Sequence, residues 1–356
     1  MAINFHSLKL KDVKRETPEC VSLTFDIPAA LSDAFRFREG QNITIKKNMD
    51  GEELRRSYSI CAAPYENVLK VAVKEIPGGK FSAFANHFLK PGDELEVMPP
   101  TGKFNAHIHT GPAHYLAIAA GSGITPVISI IKHTLSAQPD SRFTLIFGNR
   151  TRKSIIFFEE LEAIKNKYMD RFNLIHILSR ERMDSDINYG RIDAARLEAL
   201  QPLVQYQTVN EAYICGPEAM ITEARQALEK NGLGTEHIHF ELFNAPVQPS
   251  MDVTAVEAAS SGEKSEVTIK VDGRSFEFSL PFGGQSILDA ALERGADLPY
   301  ACKGGVCCSC RAKVIEGEVE MQVNYALEKD EVEQGFVLTC QSHPRTKKVV
   351  IDFDVR

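Results

Sequence analysis

Residues 115–126 read YLAIAAGSGITP: an apolar strand-like run, a turn with glycine at 121 and 123, and a Thr125-Pro126 pair at the start of a helix. No charged residue occurs from Tyr115 to Ile131, nearly enough to span a membrane, yet Gly121, Gly123 and Pro126 interrupt it. The expected reading is a buried strand, a tight turn and a helix start, with Thr125 as the cap and Pro126 in the first turn. Such a junction leaves peptide N–H groups that favour a pyrophosphate. The pattern is G-x-G-x-x-P rather than G-x-G-x-x-G, so alone it fits a structural turn equally well. A second strand-end turn, Ile214-Cys215-Gly216-Pro217, favours a nucleotide site, because ligands of open α/β sheets bind beyond the carboxyl ends of strands.

Working outward from this stretch, strand-like runs (FTLIFG, FNLIHIL, AYICG, IHFELF) alternate with amphipathic ones (FFEELEAIKNKY, EAMITEARQALEK) as far as residue 243. That alternation predicts a doubly wound α/β domain with a parallel sheet. Upstream, short alternating strands such as VSLTFDI, QNITIKK and LKVAVKE, punctuated by Pro and Gly, predict an antiparallel β-barrel with one short helix near 81–89. Downstream, 244–264 has linker composition, and VTIKVDGRSFEFSL carries Asp-Gly between two alternating runs, which marks a tight hairpin. The expected organisation is therefore a barrel over 1–108, an α/β domain over 109–245, a linker over 246–263 and an α+β domain over 264–356.

Hydrophobic residues at 43% and charged residues at 25% are ordinary globular values, so the chain can bury a core. A net charge of −7 argues against a nucleic-acid binder held by a basic face. The N-terminal segment lacks an apolar stretch long enough for a secretory signal, so a cytoplasmic protein without membrane attachment is expected.

The strongest chemical signal is cysteine spacing. Cys302, Cys307 and Cys310 form C-x4-C-x2-C, and Cys340 follows after a long gap, which is the plant-type [2Fe-2S] arrangement. Gly304 and Gly305 allow the backbone to wrap an anionic cluster, whereas a structural zinc site usually repeats a short Cys pair. Cys308 is a fifth thiol in the loop, expected to pack beside the cluster without ligating it. In the first region Arg56 could pair with a phosphate and Tyr58 could stack on a flat ring. The turn Gly78-Gly79, with Ser82 after it, could hold another phosphate. Alone, Arg56 and Tyr58 fit an ordinary strand surface.

Taken in chain order, these residues resemble the ferredoxin–NADP reductase superfamily fused to a plant-type ferredoxin domain, over nearly the whole chain. The flavin signature R-x-Y-[ST] matches Arg56, Tyr58 and Ser59, and a second flavin-phosphate turn matches Gly78, Gly79 and Ser82. The nicotinamide signature matches Gly121, Gly123, Thr125 and Pro126, and C-G-P matches Cys215, Gly216 and Pro217. Glu241 to Phe243 is similar to the segment that lies by flavin and nicotinamide. More narrowly, GEELRRSYSIC, LIFGNRT and ADLPYACKGGVC resemble the reductase subunits of phenylacetyl-CoA epoxidases, which carry FAD and feed electrons to a di-iron oxygenase.

The resemblance implies a path from NADPH through FAD, rather than FMN, to a [2Fe-2S] cluster and a di-iron oxygenase. It implies that Arg56 and Ser82 hold flavin phosphates and that Ser59 and Thr125 locate the flavin edge and nicotinamide. Cys215 and Glu241 would line the hydride gap, although Cys215 reads equally as a packing thiol. At neighbouring strand ends, Arg150, Ser179 and Arg180 could surround a ribose 2′-phosphate, which favours NADPH, although Glu181 is adjacent. From 265 to 356, 15 acidic residues face 11 basic ones, which suggests a mildly acidic docking surface. A reductase for another oxygenase or a nitric-oxide pathway is the rival enzyme reading. A redox sensor without turnover is the non-catalytic one.

Overall fold

The strand His6–Thr17 (β1) buries Leu8 and Leu10 while Ser7, Lys9 and Lys11 face solvent, the period of two that lets one face of a strand pack inward. The computed structural model describes residues 5–243 and 264–355, which fall into two compact units, one over 5–243 and one in the C-terminal part. The linker expected at 246–263 lies outside the described residues.

In the first unit β1 is joined by Cys20–Asp26 (β2), Asn42–Met49 (β3), Glu52–Ser59 (β4), Leu69–Lys74 (β5) and Glu94–Thr101 (β6). The sheet order is β4-β3-β6-β1-β2-β5 and every pairing is antiparallel. Its outer strands meet through an Ile60–Val71 bridge, so the sheet closes into the expected barrel around Leu23, Ile43, Ile45 and Val97. Asp50 and Gly51 turn β3 into β4 with φ of 54° and 80°, the two left-handed residues of a tight hairpin. The expected short helix is α1, Lys80–His87.

The second sheet contains His114–Ala120 (β7), Arg142–Asn149 (β8), Phe172–Leu178 (β9), Glu211–Cys215 (β10) and Ile238–Glu241 (β11). All pairings are parallel and the order is β11-β10-β7-β8-β9. Helices Ile124–Ala137 (α2), Phe158–Lys167 (α3), Ala194–Val204 (α4) and Glu218–Lys230 (α5) connect successive strands. The order reverses between β7 and β10, and a doubly wound sheet opens its binding crevice at such a switch point. The apolar stretch from Tyr115 to Ile131 is thus strand, 3-10 turn and helix, buried because parallel strands are covered on both faces. Among the described residues no helix is long and apolar enough to cross a membrane.

Barrel and parallel sheet share a core that includes Cys20, Cys61, Tyr115 and Cys215. Ser129 Oγ donates to the Ala62 carbonyl at 2.6 Å. Lys132, only 4% exposed, pairs with Glu66 and Glu160 at 2.7 Å each. Burying that ammonium alone would be costly, and two carboxylates offset the cost.

Two histidines in this unit make it acid-sensitive. His114 and His176 are each held down to about 4, first by burial and then by Arg142 and Arg152 respectively. Between pH 6.5 and 4 the unfolded chain therefore takes up protons that the folded chain refuses, so stability is complete above 6.5 and falls below it. The loss is roughly 3 kcal/mol per histidine at most. His176 lies beside the rings of Phe147 and Phe158, at 6.1 and 6.0 Å. The unfolding midpoint of His176→Phe is accordingly expected to fall less steeply from pH 7 to 4.5 than that of the parent. Parallel curves would contradict the assignment.

The C-terminal unit contains Lys264–Val271 (β12), Arg274–Pro281 (β13), Arg311–Glu316 (β14), Val319–Met321 (β15), Phe336–Leu338 (β16), Ser342–Pro344 (β17) and Lys348–Asp352 (β18). Five of them form a mixed sheet, β13-β12-β18-β14-β16, in which β12 and β18 run parallel, and β15 pairs with β17. Asp272 and Gly273, with φ of 51° and 69°, make the expected hairpin. A helix, Ile287–Glu293, starts where Ser286 Oγ accepts from the Asp289 N–H at 3.2 Å, and it buries Leu288 and Ala291 against Val267 and Ile351. A second, short helix spans Lys329–Glu333, and a helix packed on a mixed sheet is the β-grasp arrangement, the α+β domain expected.

Candidate redox site

Gly123 fixes the crevice. A Cβ there would stand 2.0 Å from the Cys215 carbonyl oxygen, so the turn after β7 can approach the end of β10 only as glycine. On the other side, a Cβ on Gly216 would meet Met220 at 2.5 Å and Ala120 at 3.2 Å. Gly121 takes φ of +54° in a 3-10 turn that leads directly into α2. This corrects one expectation, since Thr125 is not the helix cap. The capping position is Gly123, and Thr125 lies inside the first turn, where its Oγ1 donates to the Ser122 carbonyl at 3.0 Å. The 3-10 turn has moved the helix start forward by two residues. Pro126 sits in the first turn as expected, and Pro217 occupies the capping position of α5.

The barrel contributes to the same place. Ser59, at the end of β4 and 4% exposed, donates from Oγ to Glu241 Oε2 at 3.4 Å. Glu241 ends β11 in register with Cys215, so Ser59, Glu241 and Cys215 meet at the switch point. Cys215 is wholly buried, and burial first, then the charge of Glu241, push its thiol well above the usual range. It is therefore a protonated, unreactive thiol, suited to lining a gap rather than to attack. Phe243 packs half-buried against the shared core.

Along β4, Arg56 and Tyr58 are two residues apart and share a face. Arg56 is exposed and donates to the Arg55 carbonyl at 2.7 Å. Tyr58 meets the Phe81 ring of α1 at 5.7 Å, which brings the two flavin motifs of the barrel together. Gly78 turns with φ of +72°. A Cβ on Gly79 would stand 2.4 Å from Ser82 Oγ, so the loop is tight around that hydroxyl, which in turn donates to the Gly79 carbonyl at 3.2 Å. Arginine, half-buried tyrosine and a helix start stripped of Cβ atoms are the groups that a phosphate and a flat ring require, and they fit a flavin.

At the ends of β8 and β9, the Arg180 N–H donates to the Arg150 carbonyl at 2.8 Å, and Ser179 Oγ donates to the Asn149 carbonyl at 3.4 Å. Arg150, Ser179 and Arg180 are thus brought together, with both arginines exposed. Glu181, the acid that would oppose a phosphate, is engaged elsewhere, accepting from the Arg152 N–H at 2.8 Å. Sequence reasoning missed Lys74. Its Nζ would lie 3.5 Å from a Cβ on Gly121, at the mouth of the glycine turn, and only the pairing of barrel and sheet reveals it.

In the C-terminal unit four thiols converge. Cys307 Sγ lies 3.2 Å from Cys302 Sγ, and the Gly304 N–H donates to Cys302 Sγ at 3.3 Å. Cys302 is held down to about 7, chiefly by Cys307 and, against burial, by the peptides of Gly304 and Val306. Cys340 is lowered likewise by Cys310 and, against burial, by the peptide of Gly305. Their partners Cys307 and Cys310 are pushed well up, by Cys302 and Cys340 first and then by burial, so each pair shares one proton, and peptide N–H groups favour the anionic member at Cys302 and Cys340. Gly305 takes φ of +72° with Val323 and Gln341 close behind it. Cys308 points away and donates to the Ala326 carbonyl at 3.3 Å. The donor set fits a [2Fe-2S] cluster bound by four cysteines, with Cys308 outside it.

Three family models match the chain. The oxidoreductase FAD-binding domain family matches residues 7–106, the oxidoreductase NAD-binding domain family 117–226, and the 2Fe-2S iron-sulfur cluster binding domain family 269–345. The chain is 48% identical to one subunit of the 1,2-phenylacetyl-CoA epoxidase of Escherichia coli (strain K12), over 99% of this chain and 98% of that one. It is 34% identical to the 3-ketosteroid-9-alpha-monooxygenase ferredoxin reductase component of Rhodococcus rhodochrous, over 97% and 96%. Phthalate dioxygenase reductase shares the fold, with a TM-score of 0.58 at 23% identity over 98% of both chains. The chain belongs to the ferredoxin–NADP reductase superfamily, in the branch fused to a 2Fe-2S ferredoxin domain that comprises reductase components of oxygenases, and it is an NAD(P)H-dependent oxidoreductase.

Proposed function

We propose that the chain draws electrons from NADPH and delivers them singly, by way of FAD and its [2Fe-2S] cluster, to a di-iron oxygenase, the phenylacetyl-CoA epoxidase of phenylacetate catabolism. The observation that carries the reading is near-complete alignment, at 48% identity, with a subunit of such an epoxidase. When bound, the flavin supplies the step that accepts a hydride, two electrons together, and the cluster supplies one-electron relay.

The chain's own residues hold and orient these groups. Arg56, Ser82 and the start of α1 hold the flavin phosphates, and Tyr58 covers a ring face. The glycine turn of 121 and 123, with Thr125, Pro126, Gly216 and Pro217, leaves backbone room for the nicotinamide nucleotide. Ser59 would stand at the flavin edge, its hydroxyl oriented by the hydrogen bond that it donates to Glu241. Cys215 closes the gap with an uncharged wall, and Phe243 shields the site from water. Cys302, Cys307, Cys310 and Cys340 hold the two irons.

Arg150, Ser179 and Arg180 set the choice of nucleotide. Among the described residues no carboxylate pairs with either guanidinium, and Glu181 is turned to backbone, so a 2′-phosphate finds two cations and a hydroxyl. Wild type is expected to show a higher kcat/KM for NADPH than for NADH. Arg180→Ala should lower the NADPH value about tenfold or more, as loss of a charge-assisted contact does, with little change for NADH. Equal efficiencies in the wild type would refute the assignment.

A further inference from the structure

At the opposite end of β10 from the glycine turns, four histidines gather around one acid. Glu211 opens the strand and is 2% exposed. Its Oε2 lies 2.7 Å from His239 Nε2, and its Oε1 lies 3.0 Å from His109 Nε2 and 2.9 Å from His237 Nδ1. The His107 ring is 4.3 Å from that of His239. One nitrogen of His107, one of His239 and a carboxylate oxygen of Glu211 all lie within 4.8 Å of one another. These side chains come from three separate places: the segment between barrel and sheet, the start of β10, and β11 with the turn before it.

A carboxylate this deep is costly to ionise by itself. Here both of its oxygens are met by imidazole nitrogens, Oε2 by His239 and Oε1 by His109 and His237. Two imidazole nitrogens and one carboxylate oxygen are the donor set of a three-ligand zinc site. Nitrogen donors disfavour calcium and magnesium, which take oxygen.

We propose that His107, His239 and Glu211 bind a divalent transition ion of the zinc class, with water completing its coordination. Entry of the ion breaks the hydrogen bond between His239 Nε2 and Glu211 Oε2. The proton moves to His239 Nδ1 or to solvent, and the freed nitrogen lone pair and carboxylate oxygen become ligands. The ion would clasp the 107–109 segment to β10 and β11, and so brace the strand that ends at Glu241 from the edge remote from the glycine turns.

The test uses the full chain with flavin and cluster loaded, stripped with a chelator and equilibrated with micromolar zinc. One zinc per chain is expected in addition to the iron, and zinc K-edge absorption should show only nitrogen and oxygen neighbours. His107→Ala, at an exposed position, and His239→Ala should each weaken zinc binding about tenfold or more. His87→Ala, on α1 and exposed, should not. Unchanged flavin absorbance and a cooperative unfolding transition would verify that each variant is folded. Absence of retained zinc, zinc retention by both ligand variants equal to that of the parent, or sulfur neighbours that place the ion at the cysteines would each overturn the proposal.

Discussion

Serine in place of Cys302, Cys307, Cys310 or Cys340 is expected to remove most of the visible iron–sulfur absorbance and the bound iron, whereas Cys308→Ser keeps both. The four residues differ from the fifth in geometry, not in type. Cys302 and Cys307 are 3.2 Å apart and the Gly304 peptide points at Cys302, while Cys308 is spent on the Ala326 carbonyl at 3.3 Å. A hydroxyl is a poor ligand for iron beside three thiolates, so each single loss should empty the site rather than weaken it. Flavin content and NADPH-driven ferricyanide reduction should survive in all five variants, because those groups belong to the other unit. Iron measured per chain checks the result, and a Cys308→Ser protein without iron beside a Cys310→Ser protein with it would reverse the ligand assignment.

Much of this architecture is legible because its signals are local. The Asp50-Gly51 and Asp272-Gly273 turns each need two left-handed residues, and that requirement is written in adjacent letters. The apolar runs of the parallel sheet and the cysteine spacing are equally short-range. What the sequence hides is whatever a crossover assembles. Lys74 comes to Gly121 across the barrel–sheet boundary, and Glu211 meets His107 and His239 from different parts of the chain. The two His-x-His pairs, 107 with 109 and 237 with 239, are a signal in plain view. Only the placement of β11 beside β10 gives it meaning. The capping role expected of Thr125 failed for a smaller reason, since a 3-10 turn of three residues changed which position is the cap.

The central claim is that electrons leave the chain through the cluster and not directly from the flavin. It predicts a separation of two activities that share the same hydride step. A flavin engaged by Arg56, Tyr58 and Ser59 and a nucleotide seated on Gly121 and Gly123 need only the first unit, in which all of these residues lie. A protein of residues 1–246 should therefore still pass electrons from NADPH to ferricyanide at close to the full rate, and full-length Cys310→Ser should do the same. The direct measurement is formation of epoxide from phenylacetyl-CoA by the purified oxygenase, driven by NADPH through each protein in turn. Near-complete loss of product with both the shortened chain and Cys310→Ser, against full activity with the intact chain, is the expected result. Epoxidation at the intact chain's rate by either one would mean that the flavin reduces the oxygenase directly, and the exit role assigned to the cluster would be wrong.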